Sequence, residues 1–398
     1  MTKDPARARR QISLLVICQA LLYINSVTLI TVNGLAGLAL APRPIFATLP
    51  VTTYIIGSAL MTVPASLAMG RFGRRAGFMA GGAFAIVGTL VAALAVHVGS
   101  FALLCFGTSI VGFYNAFGQY LRFAAADVAD AYDPAVKERA ISWVLVGGIA
   151  GGILGPELSK LTRDVLPVIY SGSYAALAVV ALVVMWIASR LRIPALKATT
   201  AGAARPLREI AAQPTFVIAV TVGAISYGAM NLLMTATPLA MKVCGFGYPE
   251  AADIIKWHVI GMFAPGFFTG ALIRRFGPQR VIIAGCVLMA ATIAIARDGV
   301  SYLHFWGALV TLGLGWNFMF TSATTLLTTT YHASEKAKVQ GVNDLAVFVT
   351  MITSSGASGA LLSQTGWHDL NVYSAPFVLL AALATLWLLV RQRRTATA

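Results

Sequence analysis

Runs of about twenty apolar residues, separated by short basic loops, recur along the whole chain, and nothing else constrains its fold as strongly. A bilayer core is roughly 30 Å thick and takes ~20 apolar residues to cross as a helix. Twelve such runs are predicted as spans, at 12–36, 47–69, 76–97, 101–123, 139–160, 167–189, 215–241, 250–273, 279–297, 301–328, 339–363 and 370–390. The composition agrees: 58% of residues are hydrophobic, only 11% are charged, and mean hydropathy is +0.79. No soluble domain has that balance. The expected fold class is an all-α membrane protein with twelve transmembrane helices.

Basic residues outnumber acidic ones by 29 to 14. Their placement excludes nucleic acid as the partner, because they sit in loops between apolar runs, where they set orientation. Arg71, Arg74 and Arg75 follow the second span, and Arg274, Arg275 and Arg280 follow the eighth. Lys3, Arg7, Arg9 and Arg10 at the start and Arg391, Arg393 and Arg394 at the end join them, so both termini are expected in the cytoplasm. The first apolar run is too long for a signal peptide and lacks a cleavage site, so it reads as a first span. Four cysteines (Cys18, Cys105, Cys244, Cys286) show no zinc or CxxC spacing. Three fall inside spans as small hydrophobes, and Cys244 lies beside an outward-facing turn.

One long polar segment, rich in proline, alanine and five basic side chains, separates the sixth and seventh runs. It divides the chain into a six-helix half at 1–189, a cytoplasmic linker at 190–214 and a second six-helix half at 215–398. The halves echo each other. Arg71-Phe72-Gly73 returns as Arg275-Phe276-Gly277, and at the same offset of 204 Tyr23 matches Tyr227 and Ile56-Gly57 matches Ile260-Gly261. A weaker echo sets "ERA" at 138–140 against "EKA" at 335–337. Parallel six-span repeats with a substrate site at their interface are one way transporters are built. The Gly-Arg loop, its copy, and "GGIAGGILGP" in the fifth span resemble the major facilitator superfamily, which implies that family's fold over the whole chain. The glycines of that last motif also serve close packing of helices.

Within the second half, Met230 and Met234 stand one turn apart on span seven, and His258 and Met262 one turn apart on span eight. The turn between them, "GFGYP", centres near 246, so Met230 pairs in depth with Met262, and Met234 with His258. Thioethers are soft, uncharged ligands that suit Cu(I), imidazole also binds copper, and such neutral ligands would release the ion in a bilayer without a buried anion. At the 204 offset the first half holds Ser26, Ile30, Tyr54 and Ser58, so the repeat does not itself demand sulfur or imidazole at these places. Methionine as a core filler is the competing explanation.

MxxxM on one span with HxxxM on the next is similar to the CcoA-like copper importers, a proteobacterial branch of the major facilitators. That resemblance implies Met230, Met234, His258 and Met262 as copper ligands, with Cys244 matching a cysteine the branch uses. It further implies Cu(I) as transported substrate, no resident cofactor, the bacterial inner membrane, and a cytoplasmic acceptor feeding cytochrome c oxidase assembly. A monomer is expected. The extended family also contains riboflavin transporters, so the alternatives are an organic solute such as riboflavin or a drug, or a copper-binding sensor that does not transport. Tyr114, Gln119, Tyr120 and Trp316 would line a pocket for an aromatic solute. Asn115 and Asn317 sit at similar places in spans four and ten, as cavity-facing or helix-bridging amides. Asp253 and Lys256 can pair locally, while Glu157, Asn343 and Asp344 lie near helix ends. No GxSxG, HExxH or phosphate loop is present, and an enzyme is not expected.

Overall fold

The computed structural model describes residues 4–133, 136–193 and 205–397. Lys3 and the middle of the expected linker, 194–204, lie outside the described residues, as do the side chains of Glu138, Arg393 and Arg394. Every regular element among the described residues is helical. In hydrocarbon an unpaired backbone N–H or C=O is costly, and a helix satisfies these groups within one segment. The first half runs α1 (Pro5–Leu40), α2 (Leu49–Phe72), α3 (Arg74–Val98), α4 (Phe101–Gly118), α5 (Leu121–Tyr132), α6 (Lys137–Thr162) and α7 (Ser171–Ser189). A short α8 (Leu207–Ala211) precedes α9 (Pro214–Val243), α10 (Tyr248–Phe263), α11 (Gly266–Phe276) and α12 (Pro278–Asp298). Then follow α13 (Tyr302–Thr328), α14 (Lys336–Val372) and α15 (Ala375–Thr397).

The helix ends are written locally. Asp4 caps α1 by accepting the Arg7 N–H at 2.9 Å, and a proline stands at the first or second position of α1, α2, α9, α10 and α12. That position needs no N–H donor. The tight turn of the repeated loop falls on Gly73 and Gly277, with φ of 85° and 84°. A side chain there would be strained, which is why both copies of the loop carry glycine.

Nine stretches among the described residues are long and apolar enough to cross a bilayer. Eight overlap expected spans one to one, and the ninth, Lys338–Gln392, takes in both 339–363 and 370–390. The expected span 301–328 is the single helix α13, which is not among the nine. The expected span 250–273 is broken into α10 and α11 at Ala264–Pro265. Proline lacks the donor a helix interior needs, and its ring crowds the carbonyl four residues back.

The chain forms two compact units: Met1–Ala198 with Ala251–Lys256, and Thr199–Glu250 with Trp257–Ala398. In the first, α1 packs on α6, α3 on α4 and α7, and α2 on α4. In the second, α9 packs on α14, and α12 on α13 and α15, which is the first unit's pattern read one repeat later. Glycine crossings recur in register. A Cβ on Gly57 would collide with the Ser109 backbone and one on Gly112 with that of Tyr54, so α2 and α4 touch main chain to main chain. In the second unit a Cβ on Gly261 would stand 2.9 Å from the Val310 carbonyl oxygen, and one on Gly313 2.6 Å from that of His258. The crossing therefore fixes the backbone beneath His258 and Met262.

Candidate functional site

The four side chains expected to hold copper are all buried, His258 completely and Met230, Met234 and Met262 at no more than 8% exposure. His258 Nδ1–H donates to the Leu309 carbonyl of α13 at 2.8 Å. That bond leaves the lone pair on Nε2, which is buried and has no hydrogen-bond partner. Beside it, Asn317 Nδ2–H donates to the Met262 carbonyl at 2.7 Å, and its Oδ1 accepts from Thr269 at 2.6 Å. Among the described residues no group of three or more His, Cys, Asp or Glu side chains converges, so a metal here would rest on thioethers and one imidazole. Cys244 is separate. It caps α9, is exposed, and lies ten residues beyond Met234, about 15 Å along a helix. Partial burial raises its thiol pKa above the ordinary value.

Met230 and Met234 also continue a stripe. Gly223, Tyr227, Met230 and Met234 follow the i, i+4, i+7, i+11 spacing of one α9 face. Tyr227 meets α13 edge-on, with its ring 5.1 Å from Trp316 and 4.7 Å from Phe320. Trp316 and Phe320 stack at 5.4 Å and 13°, and Phe263 at the end of α10 lies 6.2 Å from the indole. Trp316 is buried and its Nε1–H has no acceptor in the protein. Of the four residues expected around an aromatic solute, Trp316 alone belongs to this cluster. Tyr120 bonds the Thr62 carbonyl and carries Arg74 over its ring, and Gln119 is exposed at the end of α4. Tyr114 lines a water-sized cavity of about 10 Å³ with Cys18 and Phe78.

The first unit answers with hydroxyls. Ser26 and Tyr54 share a hydrogen bond of 3.0 Å, and Ser58 donates to the Gly112 carbonyl while accepting from Asn115. Asn25 beside them is buried with both amide atoms unpartnered.

Charge gathers in three places. Asp253 and Lys256 pair at 2.7 Å as their spacing allows, and they also meet Lys160 and Glu157 of α6, each at 2.6 Å. Lys160 and Glu157 pair at 3.1 Å and complete a ring of two carboxylates and two ammoniums. Arg74 binds Asp127 at 3.0 Å. Arg205, at the end of the linker, grips Glu335 with two side-chain bonds of 2.8 Å and its own backbone N–H. The guanidinium holds the enclosed Glu335 carboxyl far below its ordinary pKa, and the carboxylate raises that of Arg205.

Two units with the same helix pattern, a repeated loop turn and buried polar side chains inside apolar helices describe a membrane carrier. The sequence model of the Major Facilitator Superfamily matches residues 15–342 and 255–398, and the chain belongs to that family: it is a multi-pass transporter and not an enzyme. Over 381 residues it is 41% identical to the riboflavin transporter RfnT of Brucella anthropi, covering 95% of each chain. It is 28% identical over 387 residues to YddS of Bacillus subtilis, an uncharacterized transporter of the same type, covering 90% of this chain and 86% of that protein. The copper-importer branch expected from the methionine and histidine pairs finds no support in these relatives.

Proposed function

We propose that this protein imports riboflavin, or a solute built on the same kind of planar ring, across the bacterial inner membrane by alternating access. Twelve spans with both termini in the cytoplasm remain part of this reading. The observation that carries it is the 41% identity to a riboflavin transporter, continuous over 95% of both chains. The aromatic cluster around Trp316 supports it, because an aromatic solute is recognised by ring contact with a few placed polar groups. On this reading Met230 and Met234 are soft lining beside Tyr227, suited to a flat ring by thioether–aromatic contact.

One observation favours the second reading, a Cu(I) carrier. His258, whose buried Nε2 has no hydrogen-bond partner, stands one helical turn from Met262. Uptake of labelled riboflavin and of copper, measured in parallel in cells lacking their own carriers, separates the two. Riboflavin should accumulate and copper should not. Leucine keeps the volume of methionine, so Met234→Leu should change riboflavin uptake by less than about threefold. Copper accumulation abolished by Met234→Leu, with no riboflavin entry, would reverse the assignment and make the four side chains ligands.

A further inference from the structure

Gly223 is buried, yet nothing presses on it. A Cβ there would meet only Asn343 Oδ1 at 3.6 Å and Phe320 Cδ2 at 4.0 Å, which is ordinary contact. At Gly57, Gly112, Gly228, Gly261 and Gly313 a Cβ would strike a neighbour at 2.9 Å or less, so packing explains those glycines and not this one. Nor does the repeat require it. One offset of 204 earlier stands Gln19, a full-sized buried side chain one turn before Tyr23, as Gly223 stands one turn before Tyr227. Glycine weakens a helix interior relative to alanine, and here no close approach of helices offsets that loss. What it leaves is room for about a methyl group, bordered by a ring and an amide.

The border suits one class of ligand. Tyr227 and Phe320 are half-buried and meet edge to face at 4.7 Å and 88°, while Trp316 stacks behind Phe320. The buried Nε1–H of Trp316 is a donor without an acceptor, and a desolvated donor is destabilising until something accepts from it. Asn343 is buried and its Nδ2 donates one hydrogen to Asp344 Oδ1 at 3.3 Å, which leaves the second amide hydrogen beside the Oδ1 acceptor. An imide edge, carbonyl next to N–H, is the complement of such an amide. A fused heteroaromatic ring with that edge also carries further carbonyl or imine acceptors for the indole.

We propose that Gly223, Tyr227, Phe320, Trp316 and Asn343 form the subsite for the ring of the cargo, and that the ring is a planar fused heterocycle with an imide edge. This rests on the organic-solute reading above and specifies where, and by which edge, such a solute is held. Asn343 reads the imide, and the missing Cβ at Gly223 lets the rim of the plane come close to α9.

The test uses purified full-length protein and lumichrome, the tricyclic ring without a sugar-alcohol chain, followed by quenching of its fluorescence. Wild type should bind lumichrome, and methylation of the imide nitrogen should weaken binding at least tenfold. Gly223→Leu and Asn343→Leu should each weaken lumichrome binding at least tenfold, and Gly223→Ala by less than threefold. In Asn343→Leu the methylated and unmethylated rings should bind alike. The methylation arm needs no variant, so a variant that fails to fold leaves the result decisive. Wild-type protein that ignores lumichrome, or binds the methylated ring as well, overturns the subsite. Riboflavin uptake by the same variants keeps the two readings apart. Uptake that is robust and indifferent to Gly223→Leu and Asn343→Leu removes the subsite and keeps the cargo. Lumichrome binding with the expected pattern, but no riboflavin entry, keeps the subsite and removes the cargo.

Discussion

Single residues here divide by what stands against them, and the glycines make the division measurable. Gly313 lies against the His258 carbonyl and the Met262 N–H, both main chain. Neither can yield as a side chain does, so Gly313→Val should destabilise by about 3 kcal/mol, at the upper end for overpacking. Gly223→Ala, with only ordinary contacts waiting, should be neutral or stabilise by up to ~1 kcal/mol through helix propensity. Thermal unfolding in detergent compares the two directly. A small loss at Gly313 would mean that α10 and α13 can part without cost. Some of this was legible in the chain itself. Gly73 and Gly277 announced their turn by recurring within the same Arg-Phe-Gly triplet. Gly223 and Gly313 look alike as letters, because what separates them are neighbours far along the chain, His258 and Met262 for Gly313, Phe320 and Asn343 for Gly223.

At the scale of helices, the sequence showed where apolar runs begin and end, and much less of what they touch. The pairing of Asp253 with Lys256 followed from their spacing of three. Their partners Glu157 and Lys160 lie 93 to 99 residues off and join only when α6 meets α10. The aromatic cluster has the same character: Tyr227, Phe263 and Trp316 come from three helices. The break of α10 at Pro265 was visible as a proline, but not as an interruption of the expected span. The charge ring carries its own prediction. All four members are partly exposed, so each pair is worth up to about 1 kcal/mol. Removing one ammonium leaves two carboxylates facing a single lysine, so Lys256→Met should lower stability by about 1 kcal/mol or slightly more. Adding Glu157→Gln to it should restore part of the loss. A double-mutant cycle on thermal unfolding reads that coupling, and strictly additive effects would show that the four charges act alone.

For the molecule as a whole, the repeat fixes the helix pattern of each unit, while the linker's end is tied down by one ion pair. Glu335 accepts from Arg205 and from the His332 N–H, and its carboxyl is 1% exposed. Its folded pKa is depressed below the ordinary 4.5. The stabilisation is therefore fully present above that value and lost as pH falls through the folded pKa. Glu335→Gln should melt lower than wild type at pH 7, with the gap closing as the pH drops well below 4.5. A gap that persists into strong acid would trace the effect to packing and not to charge.

That same tie decides where a foreign segment can be spliced into this chain. From Arg205 to Gln213 the peptide is sewn to the approach to α14. Lys338 donates to the Arg205 carbonyl at 2.8 Å, and Gln213 and Arg205 both donate to the Thr330 carbonyl. A fluorescent reporter or an epitope placed ahead of Arg205 leaves every stitch in place. The same cassette placed a few residues later, between Pro206 and Gln213, would have to unpick the seam before the second unit could close.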